Sequence, residues 1–153
     1  MRSHFTKSLN LDEAKAITTI QERATILWKQ SDIDKLLERI GDARIVMLGE
    51  ASHGTHEYYT WRSMISRRLI KEKEFNFIAV EGDWPDCYKL NRYIKNRTQG
   101  QGAKSLLGDF NRWPTWMRAN WEMVALMEWM RNYNTDNKAN AGFYGLDVYS
   151  LWE

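Results

Sequence analysis

The segment Gly49-Glu50-Ala51-Ser52-His53-Gly54-Thr55-His56-Glu57 holds two of the chain's three histidines, two carboxylates and two hydroxyls within nine residues. A histidine in a glycine-flanked turn is suited to general-base work, because its ordinary pKa lies close to neutrality. Glu50 follows a short apolar run, and so do Glu81, after Phe77-Ile78-Ala79-Val80, and Asp147, after Ala141 to Leu146. If these runs are parallel strands, the three acids gather at one sheet edge, where open α/β folds bind ligands. Any one of them alone could equally cap a helix or turn; three together point to a site. Arg62 shares a helical face with Tyr58, Ile65 and Leu69 at spacings of four, three and four. It is expected to face inward with them and to need a carboxylate partner, Glu50 or Glu81. The alternative is an arginine that reaches solvent from the start of its helix.

Other chemistries fit less well. Gly49 to Gly54 reads G-x-x-S-x-G, one residue too long for the nucleophile elbow, so Ser52 stays only as an alternative nucleophile. His53 and His56 form H-x-x-H followed by Glu57, which is neither of the zinc-protease arrangements. A metal-assisted hydrolase is a second alternative, and no metal site or cofactor is assigned. Glycine-rich phosphate loops are absent. Cys87 is the single cysteine, which excludes an intrachain disulfide and makes a reducing, cytoplasmic setting the expectation. The segment Phe110 to Trp116, with Trp121 after it, is rich in tryptophan. It suits a cleft for a sugar-like ligand, a stacking platform in a non-catalytic nucleic-acid-binding module, or simple core packing. With 22 basic and 20 acidic residues the net charge is +2, too little to mark a nucleic-acid or anionic-membrane surface. No apolar run nears the roughly 18 residues of a membrane span. Neither nucleic acid nor membrane is therefore expected as a partner.

The elements that would hold these residues follow from periodicity. Residues 1–41 read as a helical N-terminal segment. Ile17, Ile20, Ala24, Leu27 and Trp28 make one helical face; Ser31 or Asp32 caps a second helix with Ile33, Leu36, Leu37 and Ile40, ended by Gly41. Residues 42–153 read as a βαβ-type sheet core. Ile45 to Leu48, Phe77 to Val80 and Ala141 to Leu146 are short apolar runs suited to strands buried on both faces. Helices are expected from Thr55 to Lys73, from Trp84-Pro85 onward, and from Thr115 to Tyr133, the last apolar almost all round. The fold class is α/β, with short parallel strands alternating with helices. Three strands are few for this architecture, so the chain is expected to be the incomplete N-terminal part of a larger α/β hydrolytic domain. Its exposed apolar surface would then favour self-association.

These residues resemble a known family. Met47 to Gly54, Arg62, Ala79 to Trp84, the aromatic segment Phe110 to Trp116 and Gly142 to Tyr149 are similar to motifs of the erythromycin esterase family. They fit best a subgroup some of whose members are labelled succinoglycan biosynthesis related. The resemblance spans roughly residues 40–153. It implies a hydrolase of a carboxylic ester or macrolide lactone, acting by direct water attack without a cofactor, and with it macrolide resistance. By that resemblance His53 is the general base, Glu50 and Glu81 orient it and the water, and Arg62 organises the site. His56, Asp83, Trp84, Asp147 and Tyr149, in or beside the same motifs, are expected to contact substrate. A second catalytic histidine of the family lies further downstream, and neither His4 nor His56 matches it.

Overall fold

The computed structural model describes residues 11–49, 52–110 and 119–149. The chain divides into two compact units, Met1–Arg39 and Ile40–Glu153.

In the first unit, α1 (Leu11–Arg23) is exposed along its whole length. It stops at Arg23, so Ala24, Leu27 and Trp28 do not extend the stripe of Ile17 and Ile20 as the spacing suggests. The chain instead turns on Asp32, whose Oδ2 accepts the backbone N–H groups of Trp28 at 2.8 Å and Lys29 at 3.0 Å. Those two bonds hold the Asp32 carboxyl below the usual carboxylate range. A single 3₁₀ turn (Gln30–Ile33) leads into α2 (Asp34–Ile40), where Ile33 and Leu37 are buried. Gly41 follows in the left-handed region, φ 53°, as a helix-ending glycine should.

The second unit is built on two parallel strands, β1 (Phe77–Asp83) and β2 (Gly142–Asp147). Around them lie α3 (His56–Glu72), α4 (Trp84–Ile94), α5 (Ala103–Gly108) and α6 (Trp121–Asp136). Pro85 stands in the first turn of α4, where its missing N–H costs nothing. Of the helix expected from Thr115, residues 115–118 lie outside the described residues, and α6 begins at Trp121. Asn120 caps it, with Oδ1 accepting the Met123 N–H at 2.9 Å. The core joins Cys87, Leu90 and Ile94 of α4, Leu106 and Leu107 of α5, Met127 and Met130 of α6, and Phe143 of β2. Cys87 is fully buried there, as a packing residue.

Two expectations are corrected. Ile45 to Leu48 is not a strand: Ile45 is 79% and Met47 91% exposed, and the described sheet has two strands rather than three. A run of four apolar residues carries no pairing information of its own. This one forms no ladder and lines a groove whose walls include β1. Nor is β1 buried on both faces. Ile78 and Val80 pack on the core, while Phe77, Ala79 and Glu81 are exposed on the other side.

Strand β2 is held on both edges. Gly142 N–H donates to the Asn76 carbonyl at 2.8 Å on the β1 side. On the other side Ala141 N–H donates to Asn134 Oδ1 at 2.8 Å, and Phe143 N–H donates to Asn91 Oδ1 at 3.1 Å. Asn134 Nδ2 returns bonds to the carbonyls of Ala141 and Ile94, both at 3.0 Å. The register runs from Phe77 opposite Gly142 to Val80 opposite Gly145, then slips by one residue so that Asp83 meets Asp147. Gly145 permits this slip. A Cβ there would lie 2.3 Å from the Gly82 carbonyl oxygen and 2.8 Å from that of Asp83.

Two stability outcomes follow. Asn134→Ala strands one buried N–H and two carbonyls, each costing about 1–3 kcal/mol, so a loss of about 3 kcal/mol or more is expected in urea unfolding. Gly145→Ala drives a methyl into backbone and should cost about 1–3 kcal/mol or more. Gly108→Ala, with nothing within 4 Å of the added carbon, should stay within about 0.5 kcal/mol by the same measurement.

Candidate active site

His53 sits in the exposed turn that precedes α3. Within that turn the Gly54 N–H donates to Ser52 Oγ at 3.4 Å. The turn is tied to the helix by Tyr59, whose hydroxyl donates to the His53 carbonyl oxygen at 2.9 Å. The same Tyr59 ring lies under Arg62, its centroid 4.8 Å from the guanidinium carbon. Such cation–π contacts are worth roughly 0.5–2 kcal/mol, depending on exposure. Tyr59 thus fixes both the turn that carries the histidine and the arginine behind it.

Arg62 is half-buried, not fully buried as its face suggested. The reason is a rotation of the helix face by one residue: Tyr59 is buried and Tyr58 is exposed, while Ile65 and Leu69 point inward as expected. Arg67, which reads as part of a solvated helix end, is drawn between helices. Its Nη2 donates to the Ala125 carbonyl at 3.0 Å and its guanidinium faces the Trp129 ring at 5.5 Å. Its Nε is buried with no partner, and burial lowers its affinity for the proton.

A groove of about 1420 Å³ collects the key side chains. His53, Arg62 and Glu81 all line it, together with Ser63, Ser66 and Glu122. Glu81 reaches it because β1 is covered on one face only. Glu50 lies outside the described residues, as do residues 111–118 of the tryptophan-rich segment. Of that segment Phe110 belongs to the core, and Trp121 beyond it is exposed with Lys104 Nζ 4.9 Å from its ring centroid.

None of the residues expected to contact substrate is among those lining this groove, though His56 stands against its wall through Glu122. Asp83 is the N-cap of α4 and stands opposite Asp147 in the register. Trp84 stacks on Tyr88 at 5.2 Å and 6°. Tyr149 is exposed beyond β2. His56 is hydrogen-bonded through Nδ1 to Glu122 Oε1. Glu122 is the groove residue that the sequence does not announce. An acid in the first turn of a helix reads as a dipole partner, and nothing in its neighbours marks it further. Among the described residues no three His, Cys, Asp or Glu side chains cluster as metal ligands, and no helix is long and apolar enough to cross a membrane.

A family model described as erythromycin esterase matches residues 70–153. An Escherichia coli protein, erythromycin esterase type II, is 30% identical over 117 residues, 76% of this chain and 26% of that protein. A crystal structure described as a succinoglycan biosynthesis protein superposes with a TM-score of 0.75 at 30% identity, over 92% of this chain and 36% of that one. A Bacillus cereus protein superposes with a TM-score of 0.72 at 27% identity, over 88% of this chain and 33% of that one. The chain spans about a quarter of the curated relative and about a third of the solved chains.

The double use of Tyr59 can be tested by separation. Tyr59→Phe keeps the ring under Arg62 and removes the hydroxyl that bonds the His53 carbonyl. It should cost about 0.5–1.5 kcal/mol in thermal unfolding and speed amide hydrogen exchange at residues 53–55, leaving exchange in the rest of α3 unchanged.

Proposed function

The chain belongs to the erythromycin esterase family, and from that premise we propose that its groove forms part of a site hydrolysing a carboxylic ester or lactone with water activated by His53. The observation that carries the reading is the meeting of His53, Arg62 and Glu81 on one groove, from a turn, a helix and a strand distant in sequence. In this reading His53 takes the proton of a water as the water attacks the ester carbonyl carbon. The tetrahedral oxyanion then develops negative charge, and Arg62, over the Tyr59 ring, is the cation that steadies it. Glu81, and Glu50 by the family resemblance, orient the histidine and stabilise its charged form. Collapse expels the alcohol, which recovers the proton from His53.

Ser52 supports this reading by its position. Its Oγ accepts the Gly54 N–H within its own turn, and Ser52 is not among the residues lining the groove. The relative named for erythromycin makes that macrolide lactone the first substrate to assay; opening its ring would confer resistance on a cell holding the enzyme in its cytoplasm. The activity is assigned to the whole reading frame that contains these residues.

The mechanism is decided by paired substitutions in that full frame, with initial rates of lactone or nitrophenyl-ester hydrolysis as the readout. His53→Asn should lower the rate about 10²–10⁴-fold with the fold intact. Ser52→Ala should change it by less than about tenfold, and no acyl adduct should appear by mass spectrometry. An acyl group trapped on Ser52 would overturn the reading.

A further inference from the structure

Glu122 lies in the first turn of the 16-residue helix α6, where the helix dipole favours an anion. Its Oε1 meets His56 Nδ1 from the first turn of α3, 66 residues away in the chain. The Glu122 side chain is 19% exposed and that of His56 67%. The other ring nitrogen, Nε2, has Thr60 Oγ1 at 3.4 Å, the outer limit of a hydrogen bond. Glu122 also lines the groove that holds His53, Arg62 and Glu81. An exposed imidazole is therefore gripped at one nitrogen by a largely buried carboxylate of the groove wall, and is only weakly engaged at the other.

An ionised carboxylate can only accept, so Nδ1 carries the proton in this bond. In the neutral ring Nε2 is then left as an acceptor. While neutral, a ring held this way cannot donate from Nε2 to an ester carbonyl; it accepts from a hydroxyl. We propose that Glu122 is a positioning residue which fixes His56 as the Nδ1–H tautomer, so that Nε2 accepts a hydrogen bond from a hydroxyl of the substrate and the site selects hydroxylated esters over plain ones. The substrate class rests on the hydrolase reading above; the state of the ring does not.

The test uses the full 153-residue chain with ¹⁵N-labelled histidine, the His56 ring signals assigned by their loss in His56→Gln. The ring should show the Nδ1–H tautomer at a pH where it is neutral. Glu122→Gln should keep that pattern, because its amide oxygen accepts the same bond, and Glu122→Ala should lose it. A wild-type ring in the Nε2–H form, or a pattern indifferent to Glu122→Ala, overturns the proposal without any assay of activity. Ethyl 3-hydroxybutanoate and ethyl butanoate then serve as probes. The hydroxylated ester should shift the His56 Nε2 signal and bind about three- to tenfold more tightly, one hydrogen bond's worth, and Glu122→Ala should abolish the difference. Equal binding of the two esters overturns the proposal even if both are hydrolysed. A lasting preference with no hydrolysis in the full frame sinks the hydrolase reading and leaves the hydroxyl-selecting ring supported.

Discussion

Two buried asparagines carry the second unit. A strand that enters a helical core must satisfy its N–H groups on both edges, because a buried donor without a partner costs about 1–3 kcal/mol. Among the described residues, strand β2 has β1 on one side only. On the other side Asn91 of α4 and Asn134 of α6 take the N–H groups of Phe143 and Ala141, while the intervening Gly142 N–H points to Asn76. The alternation is that of a third strand, supplied by side chains. It fixes α4 and α6 against β2 and puts Phe143 at the centre of the core with no exposed surface. Helix packing by apolar contact alone leaves sliding freedom along the axis; these bonds remove it.

From that fixed frame the site geometry follows in two steps. The first is at the strand ends. With β2 locked, the one-residue slip after Val80 bends the end of β1 across Gly145 and re-aims the residues that follow it. The second is the contact between α3 and α6. Arg67 of α3 reaches the Ala125 carbonyl and the face of Trp129. Arg62 lies five residues before Arg67 on one helix, and Glu122 three residues before Ala125 on the other. A second, separate contact joins the helix starts, where Glu122 meets His56. Leaving Arg67 Nε buried without a partner is a cost that this clamp absorbs.

How much of this the sequence discloses depends on the kind of signal. Parallel strands near residues 77–83 and 142–147, the Pro85 helix start and the left-handed Gly41 are legible because each is a local rule of backbone chemistry. That His53, Arg62 and Glu81 line one groove is legible because their places, a turn, a helix and a strand end, converge in an α/β fold. Ile45 to Leu48 misleads because an apolar run states a preference for burial and says nothing of its partner. Tyr58 and Tyr59 are adjacent and chemically equal, and nothing local says that it is Tyr59 whose hydroxyl reaches the His53 carbonyl from the inner face. Arg67 and Glu122 are opaque for the same reason. Each looks like an ordinary surface charge until a second helix, remote in sequence, arrives beside it.

The partial covering of β1 ties the fold to the chemistry. A parallel strand with helices on both faces reads as apolar throughout, and a carboxylate near its end would be forced into a dry interior. Here Ile78 and Val80 give β1 its hold on the core, and the odd-numbered positions stay accessible. Alternation alone then delivers Glu81 to the groove, on the face that carries Phe77 and Ala79. The exposed Ile45 and Met47 lie along the same groove, so its wall is apolar beside the charged cluster. That combination suits an ester, which offers carbon chains to the wall and a polarisable carbonyl to the arginine and histidine. The feature that makes the sheet look unfinished, a strand covered on one side, is what leaves Glu81 open to the groove, and in the proposed reaction it is the route by which water and substrate reach that acid.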